Sequence, residues 1–370
     1  MSEEDPWDGA EFALAADRLD TPDVIAAADP GDMLRQVASG AAQVRTGLRS
    51  CAEADLSAFT PDARPRAVVV VGMGASGIAG DILGTICGPG SPVQVLTVRE
   101  PRLPGWVGAA DLVIAVSCSG TSAETLAAAR EAARRGCRLV GVGAEGSALH
   151  RITEQARAPF IRVDQAGAVL SRQALWALTV PLLVIAERLG IARIDADVYE
   201  QMAQRLEEVS HQCRPDSDSF VNPGKSLALD LAGGLPLIWA TTPLSGVAAT
   251  RFACQLNGYA KYPAIVGVMP ELAHNQLGVF DGPFAGAAAQ FPLRLILLTE
   301  AGAREQLPIA ELAARREISV SELAMENEHP LMRLAAVVHL TDYASVYLGI
   351  ASGIDPGQAD TIRDLPARIE

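Results

Sequence analysis

Short apolar runs alternate with longer amphipathic segments along most of the chain. The runs at 67–71, 93–98, 111–117 and 138–143 lack the polar alternation of a half-exposed strand, which is typical of strands buried on both faces. A glycine turn and an apolar helix pattern follow the first run. The helix pattern SGTSAETLAAAREAARRG follows the third, and Gly136 is its predicted end. Because strands and helices alternate, the pattern predicts a doubly wound parallel α/β sheet.

The same alternation returns after a polar segment, HQCRPDSDSFVNPG, at 211–224. Strand patterns at 235–242, 264–268 and 293–300 accompany a helix pattern that ends near Ala260. Helix patterns also occupy the first 60 residues, around 12–19 and 33–44, and TDYASVYLGIASGID and DTIRDLPARIE indicate closing helices. We therefore predict two domains: 1–210, with N-terminal helices and a core at about 66–190, and 211–370, with the closing helices.

The net charge of the chain limits the classes of ligand that we expect it to bind. The 370 residues carry 30 basic and 44 acidic side chains, a net charge of −14. So negative a surface repels nucleic acids and anionic lipids, and any phosphate site must rely on local donors. No apolar run reaches the roughly 18–20 residues of a membrane span, and the acidic start lacks a signal-peptide pattern. We expect a cytoplasmic protein without metal or cofactor, since the six cysteines and five histidines form no ligand cluster.

The first glycine-rich turn allows two interpretations. Gly72, Gly74 and Gly77 match the GxGxxG spacing between a strand and a helix, and Glu100 lies near the end of the next strand. Together they are compatible with a dinucleotide site, in which the acid would bind a ribose. The alternative is that the glycines only permit a tight strand-to-helix turn.

A second polar loop favours a phosphate ligand. Ser117, Ser119, Thr121 and Ser122 lie between a predicted strand and a predicted helix. Thr121 and Glu124 match a capping box, which leaves the first two serines available. Hydroxyls and the N–H groups of a helix start can hold a phosphate dianion without cationic side chains. Ser76 would face the same crevice if the two strands are neighbours.

The motifs also carry a family resemblance. GMGASGIAGDIL followed by SCSGTSAETL resembles sugar isomerase (SIS) domains. The segments SRQALWAL, NPGKSLALDLAGGLPLIW, RFACQLNGYAKYPAIVGVMPELAHNQ and DYASVYLGIASGIDP resemble bifunctional phosphoglucose/phosphomannose isomerases. The resemblance implies two tandem SIS domains of flavodoxin-like fold, in a homodimer with active sites near the subunit interface. It implies phosphate contacts from five residues, Gly74, Ser76, Ser117, Ser119 and Ser122. It also implies an active-site arginine at Arg172 and a ring-opening histidine at His274.

The departures from the family pattern leave the activity open. Aldose–ketose isomerisation needs a base that moves a proton between C1 and C2 and a group that stabilises the enediolate. The family's base glutamate falls at Gly258, its late lysine at Pro366, and a further acid at Gln276. Glu271 is the nearest candidate for a substitute base; the alternative is a structural role, since the family also has this residue and uses a different base. The two hypotheses are therefore a hexose-phosphate isomerase and a sugar-phosphate sensor or scaffold without turnover.

Overall fold

The computed structural model describes residues 16–164, 171–286, 289–300, 308–326 and 329–358. Contacts divide these residues into two compact units. The first unit spans 39–204, and the second unit combines 16–38 with 205–358. This division differs from the predicted one, because the helices before residue 39 group with the second unit and the boundary lies at 204/205. The division into two functional domains at residues 210/211 stays a prediction.

The first unit is built on a five-stranded sheet. Its strands are β1 (Ala67–Val71), β2 (Gln94–Val98), β3 (Leu112–Ser117), β4 (Arg138–Gly143) and β5 (Phe160–Arg162). They are all parallel, in the order β2-β1-β3-β4-β5, which is the flavodoxin-like order. Every residue of β1 and β3 is buried, as the unbroken apolar runs predict. The predicted doubly wound α/β fold is confirmed.

Helices cover both faces of this sheet. In the chain order of the whole protein they are α3 (Gly40–Glu53), α4 (Ala75–Cys87), α5 (Ala123–Arg134), α6 (Ala148–Gln155) and α7 (Leu175–Arg188). Short 3₁₀ turns lie at Pro61–Ala63 and Ser171–Gln173. The predicted end of α5 is confirmed, since Gly136 has a φ of 70° and its N–H donates to the carbonyl oxygen of Ala133.

The second unit contains a four-stranded parallel sheet. Its strands are β6 (Leu235–Ala240), β7 (Ile265–Val268), β8 (Leu293–Glu300) and β9 (Ser319–Met325), in the order β7-β6-β8-β9. The helices are α1 (Pro22–Ala28), α2 (Met33–Ala38), α9 (Pro223–Leu231), α10 (Pro243–Gln255), α11 (Glu271–Asn275), α12 (Ile309–Ala314) and α13 (Pro330–Ala351). A π-helical turn at Leu256–Ala260 extends α10, and a 3₁₀ turn occupies Leu277–Asp281. The unit boundary falls inside α8 (Ala196–Gln212).

The helix α13 forms the centre of the second unit. It is the one described helix that is long and apolar enough to cross a membrane, and it is almost wholly buried. Arg251 on α10 donates to both carboxylate oxygens of Asp342 on α13, at 3.1 and 2.8 Å. Burial alone would lower the pKa of Arg251, but its pairing with Asp342 holds that pKa above the ordinary value. This buried ion pair fixes α10 against α13.

The structure differs from the predicted helices and strands in two respects, and one prediction lies outside the described residues. The pattern at 33–44 is not one helix, because the chain breaks at Ser39 between α2 and α3. The pattern missed β5 and β9, which are the edge strands of their sheets. The final predicted helix, with Pro366, lies outside the described residues.

Candidate functional site

A pocket of about 260 Å³ lies at the carboxyl ends of β1 and β3. These two strands pair directly, so the loops that follow them meet at one edge of the sheet. The pocket brings together every residue predicted to hold phosphate, and Arg172 also lines it. Its lining residues are Met73, Gly74, Ala75, Ser76, Val116, Ser117, Cys118, Ser119, Ser122 and Arg172.

The turn after β1 forms one wall of this serine pocket. Gly74 precedes α4 with φ of 54° and ψ of −126°, a conformation that glycine adopts at little cost. Ser76 lies in the first turn of α4 and is 5% exposed. This turn aims the start of a 13-residue helix at the pocket, and the first N–H groups of a helix have no partner within it.

The turn after β3 forms the opposite wall. Gly120 has a φ of 67°, and a Cβ at this position would overlap the side chain of Ser147. The loop is closed by the N–H of Gly120, which donates to the carbonyl oxygen of Ser117 at 2.9 Å. The side-chain oxygen of Ser117 accepts weakly from the N–H of Ser122 at 3.4 Å. The loop therefore holds its hydroxyls in a tight turn that only glycine at position 120 permits.

The predicted capping box at Thr121 and Glu124 is wrong. The helix α5 begins at Ala123, so Ser122 is the N-cap, and its side chain caps no N–H of the helix. Ser122 instead donates to the Glu124 carboxylate at 3.0 Å, while the Thr121 and Ser119 hydroxyl oxygens lie 2.8 Å apart. The helix starts one residue too late for the box, because Ser122 can end the turn as well as Thr121 can.

The electrostatics of the serine pocket suit a small anion. Two helix starts face it, and each contributes about half a positive charge through its dipole. Arg172 adds a full charge, and none of the lining residues is acidic. Hydroxyls, helix N–H groups and one guanidinium together can accept a phosphate dianion even on a chain with a net charge of −14.

Four lining residues were not predicted: Met73, Ala75, Val116 and Cys118. Met73 and Cys118 lie between predicted positions in the same two turns. Their place in those loops was therefore the signal that could have identified them as lining residues. Glu100, the acid of the dinucleotide hypothesis, is exposed after the edge strand β2 and does not line the pocket.

The predicted catalytic side chains belong to the second unit. Glu271 and His274 lie on the one-turn helix α11, and both are exposed. The side-chain amide of Asn275 donates to the Glu271 carboxylate. The amide of Gln276 donates to the Val266 carbonyl oxygen on β7 at 3.0 Å, a bond that an ionised glutamate could not make. The loss of the acid at position 276 is therefore matched by a structural hydrogen bond.

The position of the missing base lies in the π-helical turn after α10. Gly258 has no side chain there, but its carbonyl oxygen accepts from the Lys261 ammonium at 2.6 Å. Lys261 also donates to the carbonyl oxygen of Gln358 at 2.7 Å. Among the described residues, no three His, Cys, Asp or Glu side chains converge as a metal site would require.

Comparisons with known proteins agree with this architecture. The family profile "Bacterial phospho-glucose isomerase C-terminal SIS domain" matches residues 220–369. This match shows a SIS domain over residues 220–369. It resembles a bifunctional phosphoglucose/phosphomannose isomerase of Caldicellulosiruptor bescii, 27% identical over 78% of this chain and 85% of that protein. The enzyme of the same name from Aquifex aeolicus is 26% identical over 82% of this chain and 91% of that protein.

A solved structure extends the likeness to the fold of most of the chain. It is the C-terminal domain of glucosamine-fructose-6-phosphate aminotransferase from Francisella tularensis, with a TM-score of 0.66. It covers 88% of this chain and 98% of its own, at 15% identity. The predicted resemblance to bifunctional phosphoglucose/phosphomannose isomerases is confirmed.

Proposed function

We propose that this SIS-domain protein is an aldose–ketose isomerase that interconverts glucose 6-phosphate or mannose 6-phosphate with fructose 6-phosphate. The observation that carries the proposal is the serine pocket, in which two helix starts, four serines and Arg172 surround a space of about 260 Å³. The relatives named as phosphoglucose/phosphomannose isomerases support the same substrate class.

The phosphate group is the part of the substrate for which the pocket is built. We propose that the main chain at Gly74 and the hydroxyls of Ser76, Ser117, Ser119 and Ser122 hold it, with Arg172 as the cationic contact. Ser76 and Ser117 are buried, at 5% and 4% exposure; the Ser117 oxygen already accepts from the Ser122 N–H, and a phosphate would give the two hydroxyl hydrogens an acceptor. A free hexose would leave these groups without one, and we expect it to bind poorly.

The proton transfer requires a base that removes a proton from one of the two carbons and returns it to the other. We propose His274 for ring opening and Glu271 as the substitute base. The exposure of both side chains leaves them accessible to a substrate. We further propose, on the resemblance alone, that the protein is a cytoplasmic homodimer without a cofactor, whose active sites lie near the subunit interface.

A sensor or scaffold that binds hexose phosphate without turnover is the second candidate. Gly258 favours it, because glycine at the family's base position offers no group that exchanges a proton. The hydrogen bond between Gln276 and Val266 also favours it, since it gives the changed position a structural use.

Deuterium exchange separates the two candidates. Purified protein with fructose 6-phosphate in deuterated water should incorporate deuterium at C1 or C2, observed by NMR, if an enediolate forms. Under the proposed mechanism Glu271→Gln abolishes exchange, and Asn275→Ala, which removes only the neighbouring donor, retains most of it. If the wild type does not exchange but Gly258→Glu, alone or with Pro366→Lys, does so by about 10-fold or more over background, the sensor hypothesis is correct for the natural protein. No exchange by any of them, with binding intact, also supports the sensor.

A further inference from the structure

The first unit carries a second cavity that the serine pocket does not use. It measures about 790 Å³ and is lined by four arginines, Arg130, Arg134, Arg138 and Arg157. We call it the arginine pocket. It is bordered by the last turn of α5, the residues after α6 and the start of β4 at Arg138. Since the serine pocket lies at the carboxyl ends of the strands, the arginine pocket lies at the opposite edge of the same sheet.

The charge of the arginine pocket contrasts with the rest of the chain. Acidic residues outnumber basic ones by 44 to 30 in the sequence, yet none lines this cavity. Arg130 and Arg134 are four residues apart on α5, so they lie on the same face of the helix. Arg157 follows α6 with a φ of 51°. The cavity is therefore a concentrated positive site on an acidic protein.

Three of the four guanidinium groups are available to a ligand. Within the described residues, Arg130, Arg134 and Arg157 are exposed and make no side-chain hydrogen bond or ion pair. The charge of Arg134 helps to lower the pKa of Glu131 without a hydrogen bond between the two side chains. The Glu131 carboxylate accepts hydrogen bonds from the Leu103 N–H and from Arg135. Arg138 differs, because it donates to the carbonyl oxygens of Ala58 and Ala63 and stacks on Phe59.

Helix dipoles account for only part of this charge. Both α5 and α6 end at the cavity, and each helix end carries about half a negative charge. Two ends therefore offset roughly one positive charge, whereas four guanidinium groups supply four. The surplus is left without a partner in the described part of the chain, and unpaired arginines around a concave site are suited to bidentate recognition of phosphate oxygens.

We propose that the arginine pocket binds a small ligand with several phosphate charges, such as a polyphosphate or a polyphosphorylated metabolite. A volume of about 790 Å³ is within the roughly 300–1,000 Å³ of small-molecule sites. Three available guanidinium groups, spread over α5 and the segment after α6, would be engaged together by a chain of phosphates. A single phosphate would reach fewer of them.

Calorimetry with inorganic tripolyphosphate at low salt tests the proposal. The wild-type protein should bind tripolyphosphate, and Arg134→Gln combined with Arg157→Gln should weaken binding by about 10-fold for each arginine removed. Arg102→Gln is the matched control, because Arg102 is also exposed in the first unit but lies outside the cavity. The titration is carried out with saturating fructose 6-phosphate, which occupies the serine pocket under the proposed function; tripolyphosphate binding should persist, which separates the arginine pocket from the serine pocket.

Several results would overturn the proposal. It fails if tripolyphosphate does not bind, if Arg102→Gln weakens binding as much as the double variant, or if inorganic phosphate binds equally well. Tighter binding of a hexaglutamate peptide would indicate an acidic protein segment as the partner instead. Thermal unfolding should show that the double variant is as stable as the wild type. If it is not, Arg130→Gln alone provides the same test, with an expected loss of about 10-fold.

Discussion

The carboxyl ends of β1 and β3 and those of β6 and β8, called here the first and second crevice, use their polar groups differently. In the first unit, the loops after β1 and β3 leave an open pocket with serines, helix N–H groups and Arg172. In the second unit, the loop after β6 is followed by a complete capping box, in which Thr242 and Ser245 satisfy each other's N–H groups. The first crevice leaves hydrogen-bond donors available to a ligand, whereas in the second the hydroxyls and N–H groups of the loop bond to one another.

An internal carboxylate makes the difference sharper. Glu300 ends β8, is 9% exposed, and accepts a hydrogen bond from the Thr242 hydroxyl. Its other oxygen lies 3.3 Å from a guanidinium nitrogen of Arg333 on α13. The second crevice thus contains a carboxylate between a hydroxyl and an arginine, which is the environment that we propose for the phosphate in the first crevice. The second crevice therefore already holds an anion of the chain itself, whereas no acidic residue lines the first.

The largest effect is expected for the glycine that shapes the open loop. Gly120→Ala places a side chain at a φ of 67° and against Ser147. A left-handed conformation costs about 1–2 kcal/mol for a residue other than glycine, and overpacking adds about 1–3 kcal/mol. We expect the free energy of unfolding to fall by about 3 kcal/mol in denaturant titration, with loss of sugar-phosphate binding.

The control for this variant is Gly84→Ala. Gly84 lies inside α4 with open space at its Cβ position, so alanine should stabilise the helix by roughly 0.5–1 kcal/mol. Equal stability of the two variants would show that the loop relaxes around position 120, and the conformational argument would then be wrong.

A smaller loss is expected when the second crevice is emptied. Glu300→Ala leaves Arg333 without its carboxylate and removes one acceptor of the Thr242 hydroxyl, which also lies 3.0 Å from the Ser245 hydroxyl oxygen. Breaking a mostly buried pair should lower the free energy of unfolding by about 2–3 kcal/mol. Glu311→Ala is the control, because its pair with Arg315 is exposed and is worth only about 0.3–0.5 kcal/mol.

The Glu300→Ala crevice should then behave more like the first one. Inorganic phosphate should raise the melting temperature of Glu300→Ala more than that of the wild type, since an anion can take the carboxylate's place. An identical response of both proteins would mean that the second crevice does not accept an anion even when it is empty.

The sequence predicted seven of the nine described strands and missed one edge strand in each sheet, β5 and β9. The apolar runs at 138–143 and 293–300 coincide with β4 and β8, because a buried strand in a parallel sheet needs no polar positions. The strand β5 has only three residues, and β9 is mostly exposed or half-buried along its length. Such edge strands depend on pairing with a neighbour, which no local pattern records.

The candidate site was predictable where its signal is local. The glycines and serines of the open pocket lie within two strand-to-helix turns, whose pattern indicated a phosphate site, and the resemblance implied the five phosphate contacts. Arg172 was predicted to belong to the site only from the resemblance, because it lies far along the chain from the two turns. The exact helix start at Ala123 and the filling of the second crevice by Glu300 depend on contacts that the sequence does not show. Thr121 and Ser122 are both good N-cap residues, and Glu300 meets Thr242 only after β6 and β8 have paired.

The smallest effect, and the most direct test of the comparison, concerns a single hydroxyl in each crevice. Ser119→Ala removes an exposed hydroxyl from the open pocket and should weaken fructose 6-phosphate binding by about 1–3 kcal/mol, the usual loss for a hydrogen bond to a charged group. Thr241→Ala removes the corresponding loop hydroxyl after β6, which donates to the Leu298 carbonyl oxygen at 3.3 Å, and should leave affinity unchanged. Calorimetry measures both, with free fructose as the ligand that should not bind. If Thr241→Ala weakens binding as much as Ser119→Ala, both crevices take part in binding and the contrast between them is wrong. If free fructose binds as tightly as fructose 6-phosphate, the serine pocket does not recognise the phosphate group.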